Sequence, residues 1–287
     1  MISVHIVSYN NAKHTINAVD SALRNSNIEV QVLVLENGSN QQEIETFLKW
    51  KSLIKDPRIR YFHGIGNLGF SGGVNFLAAA RSPEATHIVE MNNDMIFGTY
   101  SLGRMFSVLE LNPTIGVVCA TLTNGGLYDR AYPTLGHVGD FLIRTNQPLV
   151  DKTIPIGGSN VPWMMSVDFF EQLRLVDVFD PPLPFNKYPG VWDESIDPKL
   201  AAWCADWDVH NRILHTGKQV AVLPDAKVYH YEHCSIDSLG DSSWQQFAVA
   251  NYVLKYGPRG NMNQFGMESK GLPMIKKSIP SGYPICP

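Results

Sequence analysis

The sequence predicts an α/β domain built on a mainly parallel central sheet with helices on both faces. Short apolar runs that stop at polar turns, helical periodicity between them, and regular alternation of the two up to about residue 122 predict it. A strand at 3–8 closes on Tyr9-Asn10-Asn11, and one at 30–35 closes on Glu36-Asn37-Gly38-Ser39. Ile16, Val19 and Leu23 stand at helical spacing between them, as do Ile44, Leu48 and Leu53 after the second. This order, βαβα, joins parallel strands. A third strand at 59–63, a helix at 74–81 and a fourth strand at 87–91 continue it, the fourth stopping at Asn92-Asn93-Asp94. Ligands of such sheets bind beyond the carboxyl ends of the strands, so these polar ends form the candidate site.

Farther along, a helix is expected at 102–111 and a strand at 116–121. Residues 123–160 are punctuated by Gly and Pro, the pattern of loops or a small antiparallel excursion. A helix at 166–176 leads into a Pro- and aromatic-rich connection at 179–198, long enough to serve as a lid or binding loop. A helix at 200–214 carries Asp206 and Asp208, and strands follow at 220–223 and 227–231. The chain ends in an amphipathic helix at 242–256 and an irregular tail.

Composition narrows the function. Of 287 residues, 44% are hydrophobic and 17% charged, which suits a folded domain and excludes a disordered one. A net charge of −4 offers no bulk attraction to nucleic acid or anionic lipid, so any bound phosphate must be held by metal, backbone amides or a few placed cations. Cys119, Cys204, Cys234 and Cys286 are scattered without a CxxC pair, which suggests free thiols. The N-terminus lacks the pattern of a signal peptide, and no apolar run approaches the roughly 20 residues of a membrane span. A cytoplasmic protein, with at most peripheral membrane contact, is expected.

Gly64-Ile-Gly-Asn-Leu-Gly69 is a literal GxGxxG, but it follows the third strand, and Glu90 falls inside the next strand instead of at its tip. The dinucleotide reading is therefore set aside. Asn67-Leu-Gly-Phe-Ser-Gly-Gly-Val-Asn75 instead resembles the N-x-G-F-x-x-x-x-N segment of family 2 glycosyltransferases with the GT-A fold. Five further segments agree in order: Ser3-Val-His-Ile-Val-Ser-Tyr-Asn10, Val34-Leu-Glu-Asn-Gly-Ser39, Asn92-Asn-Asp94, Ala205-Asp-Trp-Asp208 and Leu223-Pro-Asp-Ala-Lys-Val-Tyr-His230. Ordered agreement of six weak motifs is far more specific than any one.

The resemblance implies a GT-A fold with a Rossmann-like sheet and a C-terminal helical extension. It divides a domain at 1–256 into a nucleotide-binding half (1–122), an acceptor and catalytic half (123–240) and a helix (241–256), with a tail at 257–287. The implied activity is inverting transfer of a sugar from a nucleotide diphosphate donor to an acceptor hydroxyl on a glycan or lipid-linked glycan. The Asn-Leu-Gly-Phe form is nearest to the subgroup that moves rhamnosyl, galactofuranosyl and related sugars.

The implied residue roles follow. Asp94 and His230 are the metal ligands for Mn²⁺ or Mg²⁺; hard oxygen and imidazole suit a divalent cation that offsets charge on a departing diphosphate. Ser8, Tyr9, Asn10, Glu36, Asn67, Gly69, Asn75, Asn92 and Asn93 line the nucleotide-sugar cleft, Glu36 standing where relatives carry an Asp that binds the base and Asn92 where many carry the first Asp of the metal motif. Asp206 is the general base that takes the acceptor proton. Ala205 replaces a Glu of the family pattern. Trp163, Trp192, Trp203 and Trp207 are candidates for a sugar-stacking wall or for core.

Three other readings stand beside this one. A sugar-phosphate nucleotidylyltransferase would need a G-x-G-T-R loop near the N-terminus, which is absent. A catalytically silent carbohydrate- or nucleotide-binding protein on the same fold is suggested by Asn92 and Ala205. A transferase that glycosylates modified DNA bases is disfavoured by the acidic balance.

Overall fold

A computed structural model describes residues 1–25, 28–122, 149–151, 162–175, 190–192, 208–209, 212–213 and 216–231. The first half alternates as expected: β1 (Ile2–Ser8), α1 (Ala12–Leu23), β2 (Val30–Glu36), α2 (Gln41–Ile54), β3 (Ile59–Phe62), α3 (Gly69–Ala80) and β4 (His87–Asn92). Then come β5 (Met95–Phe97), α4 (Ser101–Leu111), β6 (Ile115–Leu122), β7 (Leu149–Asp151), β8 (Trp163–Ser166), α5 (Val167–Leu175) and β9 (Gln219–His230).

Among the described residues the strands form one nine-stranded sheet in the order β3-β2-β1-β4-β8-β6-β9-β5, with β7 also on β9. β1 to β4 are mutually parallel and β6 runs parallel to β9, while β8, β5 and β7 pair antiparallel. All seven residues of β2 are buried, as a strand covered on both faces requires. Leu33 and Leu35 pack with Leu77 of α3, while Val30, Val32 and Val34 join the core that holds α1 and Phe47 of α2. The period of two along β2 thus sends alternate side chains to helices on opposite faces.

Two expectations are corrected, and for two of the tryptophans the choice left open is decided. The strands expected at 220–223 and 227–231 are one, β9, whose pairing with β6 shifts register between Cys119 and Thr121. Pro224 has no N–H for the ladder, and at the shift the Thr121 hydroxyl donates to Leu223 O at 2.6 Å, bridging the irregularity. α3 begins at Gly69, five residues before the expected start at 74. A Cβ on Gly73 would sit 3.0 Å from Val7 and 3.2 Å from Leu35, so its absence lets the helix lie close on the sheet. Trp163 and Trp192 are core: they are 3% and 1% exposed, with ring centroids 5.7 Å apart. Trp203 and Trp207 lie outside the described residues, as does the expected helix at 242–256.

Of the connection expected at 179–198, the described residues 190–192 are buried. Within the described residues no helix is long and apolar enough to cross a membrane.

Candidate active site

The parallel register sets the polar strand ends side by side. Val7 lies opposite Asn92 and Ser8 opposite Glu36, so the turns after β1, β2 and β4 open on one edge of the sheet. There Asn10 and Asn11 hold φ of 54° and 55°, two successive left-handed residues, a conformation Asn tolerates better than most. Side chains fix this turn. Asn10 N donates to Ser39 Oγ at 2.8 Å, and Asn10 Oδ1 accepts from Asn40 N and Nδ2, both at 3.2 Å. Ser39 N in turn donates to the buried Glu36 carboxylate. Glu36, expected to face the base, thus holds the loop beside Asn10. Its charge, together with burial, also holds the Tyr61 phenol above its usual range, burial being the larger cause.

The loop before α3 is tied to the same edge. Asn37 Oδ1 accepts from Leu68 N at 2.8 Å and its Nδ2 donates to Gly69 O at 3.1 Å, while Asn67 Oδ1 accepts from Gly69 N at 2.8 Å. Gly69 holds φ of 69°, which its lack of a Cβ permits. Asn67 is exposed at the strand ends, and Tyr9, Asn10 and Asn92 are half-buried there.

Besides Glu36 and Gly69, three more of the expected cleft residues, Ser8, Asn75 and Asn93, are buried. Ser8 Oγ shares a 2.8 Å hydrogen bond with Thr15 Oγ1, and Asn93 Nδ2 donates to Thr15 Oγ1 at 3.2 Å, joining the ends of β1 and β4 to α1. Asn75 is fully buried, its side chain bonded to the backbone of Trp192 at both ends. Asn37, Ser39, Asn40 and Thr15, which hold these turns, were not singled out from the sequence. Their signal was the density of Asn and Ser just past two strand ends.

Asp94 and His230 come together although 136 positions separate them: His230 Nε2 donates to Asp94 Oδ1 at 3.0 Å. The short strand β5 does this, since its antiparallel register puts Met95 opposite His230, and Tyr231 N donates to Asp94 O at 3.0 Å. Both side chains are buried, at 8% and 4% exposure, and among the described residues no lysine or arginine pairs with Asp94. A carboxylate so placed favours a cation. The separation also fits two adjacent ligands of an octahedral ion held at about 2.1 Å, which lie about 3 Å apart. Among the described residues no third His, Cys, Asp or Glu completes a cluster.

Asp206 lies outside the described residues. Its neighbour Asp208 is fully buried and accepts from Arg212 Nε at 3.1 Å, an ion pair one helical turn apart.

A comparison with curated protein sequences finds no match. Among solved structures, the chain is similar to the mannosyltransferase PcManGT from Pyrobaculum calidifontis in complex with GDP-Man and Mn²⁺, at 13% identity and a TM-score of 0.60 over 89% of this chain. It is also similar to GalNAc-T7 with UDP, GalNAc and Mn²⁺, at 12% identity and a TM-score of 0.58 over 89% of this chain. The chain spans 62% of the first protein's length and 48% of the second's. At such identities the likeness shows the fold, which is GT-A. The sequence model of Glycosyl transferase family 2 matches residues 3–174, well over half of the chain, and with the strand-end site it covers this establishes that the protein belongs to glycosyl transferase family 2.

Proposed function

We propose that the protein transfers a glycosyl group from a nucleotide diphosphate sugar to an acceptor hydroxyl of a glycan or lipid-linked glycan, with inversion at the anomeric carbon. The observation that carries this reading is the approach of Asp94 and His230 to 3.0 Å at the end of the sheet where the other polar turns converge. Two structures of like fold hold a nucleotide or nucleotide sugar with Mn²⁺, which supports it.

In this reading Asp94 and His230 hold Mn²⁺ or Mg²⁺, which when bound offsets the charge gathering on the departing diphosphate. Tyr9, Asn10, Glu36, Asn67, Gly69 and Asn92 shape the nucleotide wall, with residues 1–122 forming that half of the domain. Ser8, Asn75 and Asn93 contribute from behind by fixing the backbone on which the wall stands. Asp206, from the acceptor half at 123–240, takes the hydroxyl proton as the oxygen attacks.

Calorimetry of UDP and GDP with and without Mn²⁺ tests the reading. Binding of one of them should require the ion, and Asp94→Ala should remove both the requirement and most of the affinity. Equal affinity in the presence of a chelator would refute it.

A further inference from the structure

An open groove lies between α1 and β5, the strand that begins one residue after Asp94. His14, Asn17, Asp20 and Arg24 recur at three- and four-residue spacing, so they share one helix face. Facing them is β5, the last strand of the sheet order, and between the two lies a cavity of about 330 Å³. Asn17, Asp20, Arg24 and Asn25 line one side and Ile96 and Thr99 the other.

Aromatic rings connect the cavity to the metal pair. Ile96 is the register partner of Tyr229, so the two side chains lie together on one face of the β5–β9 ribbon. The ring of Tyr229 is 4.9 Å from that of Tyr231, which is 4.6 Å from His14. Tyr229 and Tyr231 remain 43% and 40% exposed, and Tyr231 directly follows His230. From His14 to Arg24 the helix rises about 15 Å, the reach of a short oligosaccharide.

The chemistry points to an uncharged, hydroxyl-rich ligand. Half-exposed tyrosine rings offer flat apolar faces with polar tips, on which sugar rings stack. The exposed Asn17 amide, the Thr99 hydroxyl and the Asp20 carboxylate supply donors and acceptors for hydroxyl groups, while the Asn25 amide is buried and bonded to Ser21 O and Leu102 N beneath them. Arg24 Nη2 lies 3.2 Å from Asp20 Oδ2, so the two charges cancel within the groove. A nucleic acid would need unpaired cations there.

We propose that this groove is a second carbohydrate site, which holds a neutral oligosaccharide chain leading away from the metal pair. As the anchor of the acceptor it rests on the transferase reading; as a binding site it does not.

Titration of the ¹⁵N-labelled full chain, free of metal and nucleotide, tests it with maltotetraose, cellotetraose, mannotetraose and xylotetraose, with glucose and mannose, and with a single-stranded oligonucleotide. At least one tetrasaccharide should shift the side-chain amide of Asn17 and bind about tenfold more tightly than the monosaccharides. Tyr229→Ala and Asn17→Ala should each weaken it about tenfold, or about 1.4 kcal/mol. Neither should change Mn²⁺-dependent binding of UDP or GDP. No tetrasaccharide binding, binding indifferent to both substitutions, preference for the oligonucleotide, or self-association abolished by Tyr229→Ala in place of sugar binding would each overturn the proposal. Tetrasaccharide binding without metal-dependent nucleotide binding would uphold this site while refuting the transferase reading.

Discussion

Asn75 grips the backbone of Trp192 at both ends: its Nδ2 donates to Trp192 O at 2.8 Å and its Oδ1 accepts from Trp192 N at 3.2 Å. Trp192 is 1% exposed and packs on Phe70 and Trp163, with centroids 5.3 and 5.7 Å away. One amide on α3 therefore pins a segment 117 positions away to the core. Asn75→Ala leaves buried polar groups short of these two bonds and should cost roughly 2–4 kcal/mol in urea denaturation. A Cβ on Gly190 would fall 1.8 Å from Asn75 Oδ1, so Gly190→Ala should also destabilise. The two changes share one cause. The double variant should lose less than the sum of the single losses, whereas additivity would separate the two sites.

What could be read from the sequence followed from element length and periodicity. β1, α1, β2, α2 and β4 emerged within a few residues of their bounds, because each carries a sustained period and a polar stop. β5 and β8 were missed: three and four residues are too few to show alternation, and their antiparallel pairing is set by distant partners. That omission mattered for the site. Asp94 and His230 could be named separately from the sequence, but the strand that joins them could not. Asn75 illustrates the opposite case: the resemblance names it as a cleft residue, but its bonds to the Trp192 backbone depend on a segment 117 positions away that no local pattern reveals.

His230 lends itself to a test that separates holding Asp94 from holding a cation. His230→Gln retains an N–H that can reach Asp94 but removes the imidazole nitrogen. It should keep most of the stability without metal while weakening Mn²⁺ binding by roughly 100-fold. His230→Ala should lose both, with about 1–3 kcal/mol of stability gone because Asp94 loses a buried partner. Equal Mn²⁺ affinity in His230→Gln and the unaltered protein, measured by calorimetry, would make the histidine purely structural.

Glu90 makes stability depend on pH in a direction that can be worked out. The β1–β4 register sets His5 opposite Glu90, with His5 Nδ1 3.1 Å from Glu90 Oε1, and Ser3 Oγ shares a 2.9 Å hydrogen bond with His5 Nε2. The series resembles a hydrolase triad, yet Ser3 is fully buried and no substrate reaches it. Burial raises the Glu90 carboxyl above its ordinary range, and His5 opposes this by a smaller amount. The folded state therefore binds the proton more tightly than the unfolded state does. The resulting stabilisation is full below the unfolded carboxyl pKa, about 4.3, and is lost as pH rises through the folded value. Glu90→Gln removes this titration. Its urea midpoint should fall less than that of the unaltered protein as pH rises from about 4.5.

Asp206 and Asp208 are two residues apart on one expected helix, so they cannot face the same way, and Asp208 is already engaged. It is fully buried against Arg212, at 0% and 1% side-chain exposure, with 3.1 Å between Oδ2 and Nε. Such a carboxylate is poorly placed to meet an acceptor hydroxyl, and its removal leaves a guanidinium buried. Asp208→Ala should cost about 3–5 kcal/mol of stability, and activity should fall with the folded fraction. Asp206→Asn should behave in the opposite way. Asparagine nearly preserves shape but has no basicity, so stability and metal-dependent nucleotide binding should persist while transfer slows about 10²- to 10⁴-fold, the usual contribution of a positioned base. The comparison uses two readouts, urea denaturation and turnover of a nucleotide sugar with Mn²⁺. Loss of turnover at full stability in Asp206→Asn, beside loss of stability in Asp208→Ala, assigns the proton transfer to Asp206. If Asp206→Asn keeps its turnover, the base lies elsewhere. The buried ion pair of Asp208 with Arg212 would then exclude the nearest substitute, and the search would move to the other acidic residues of 123–240.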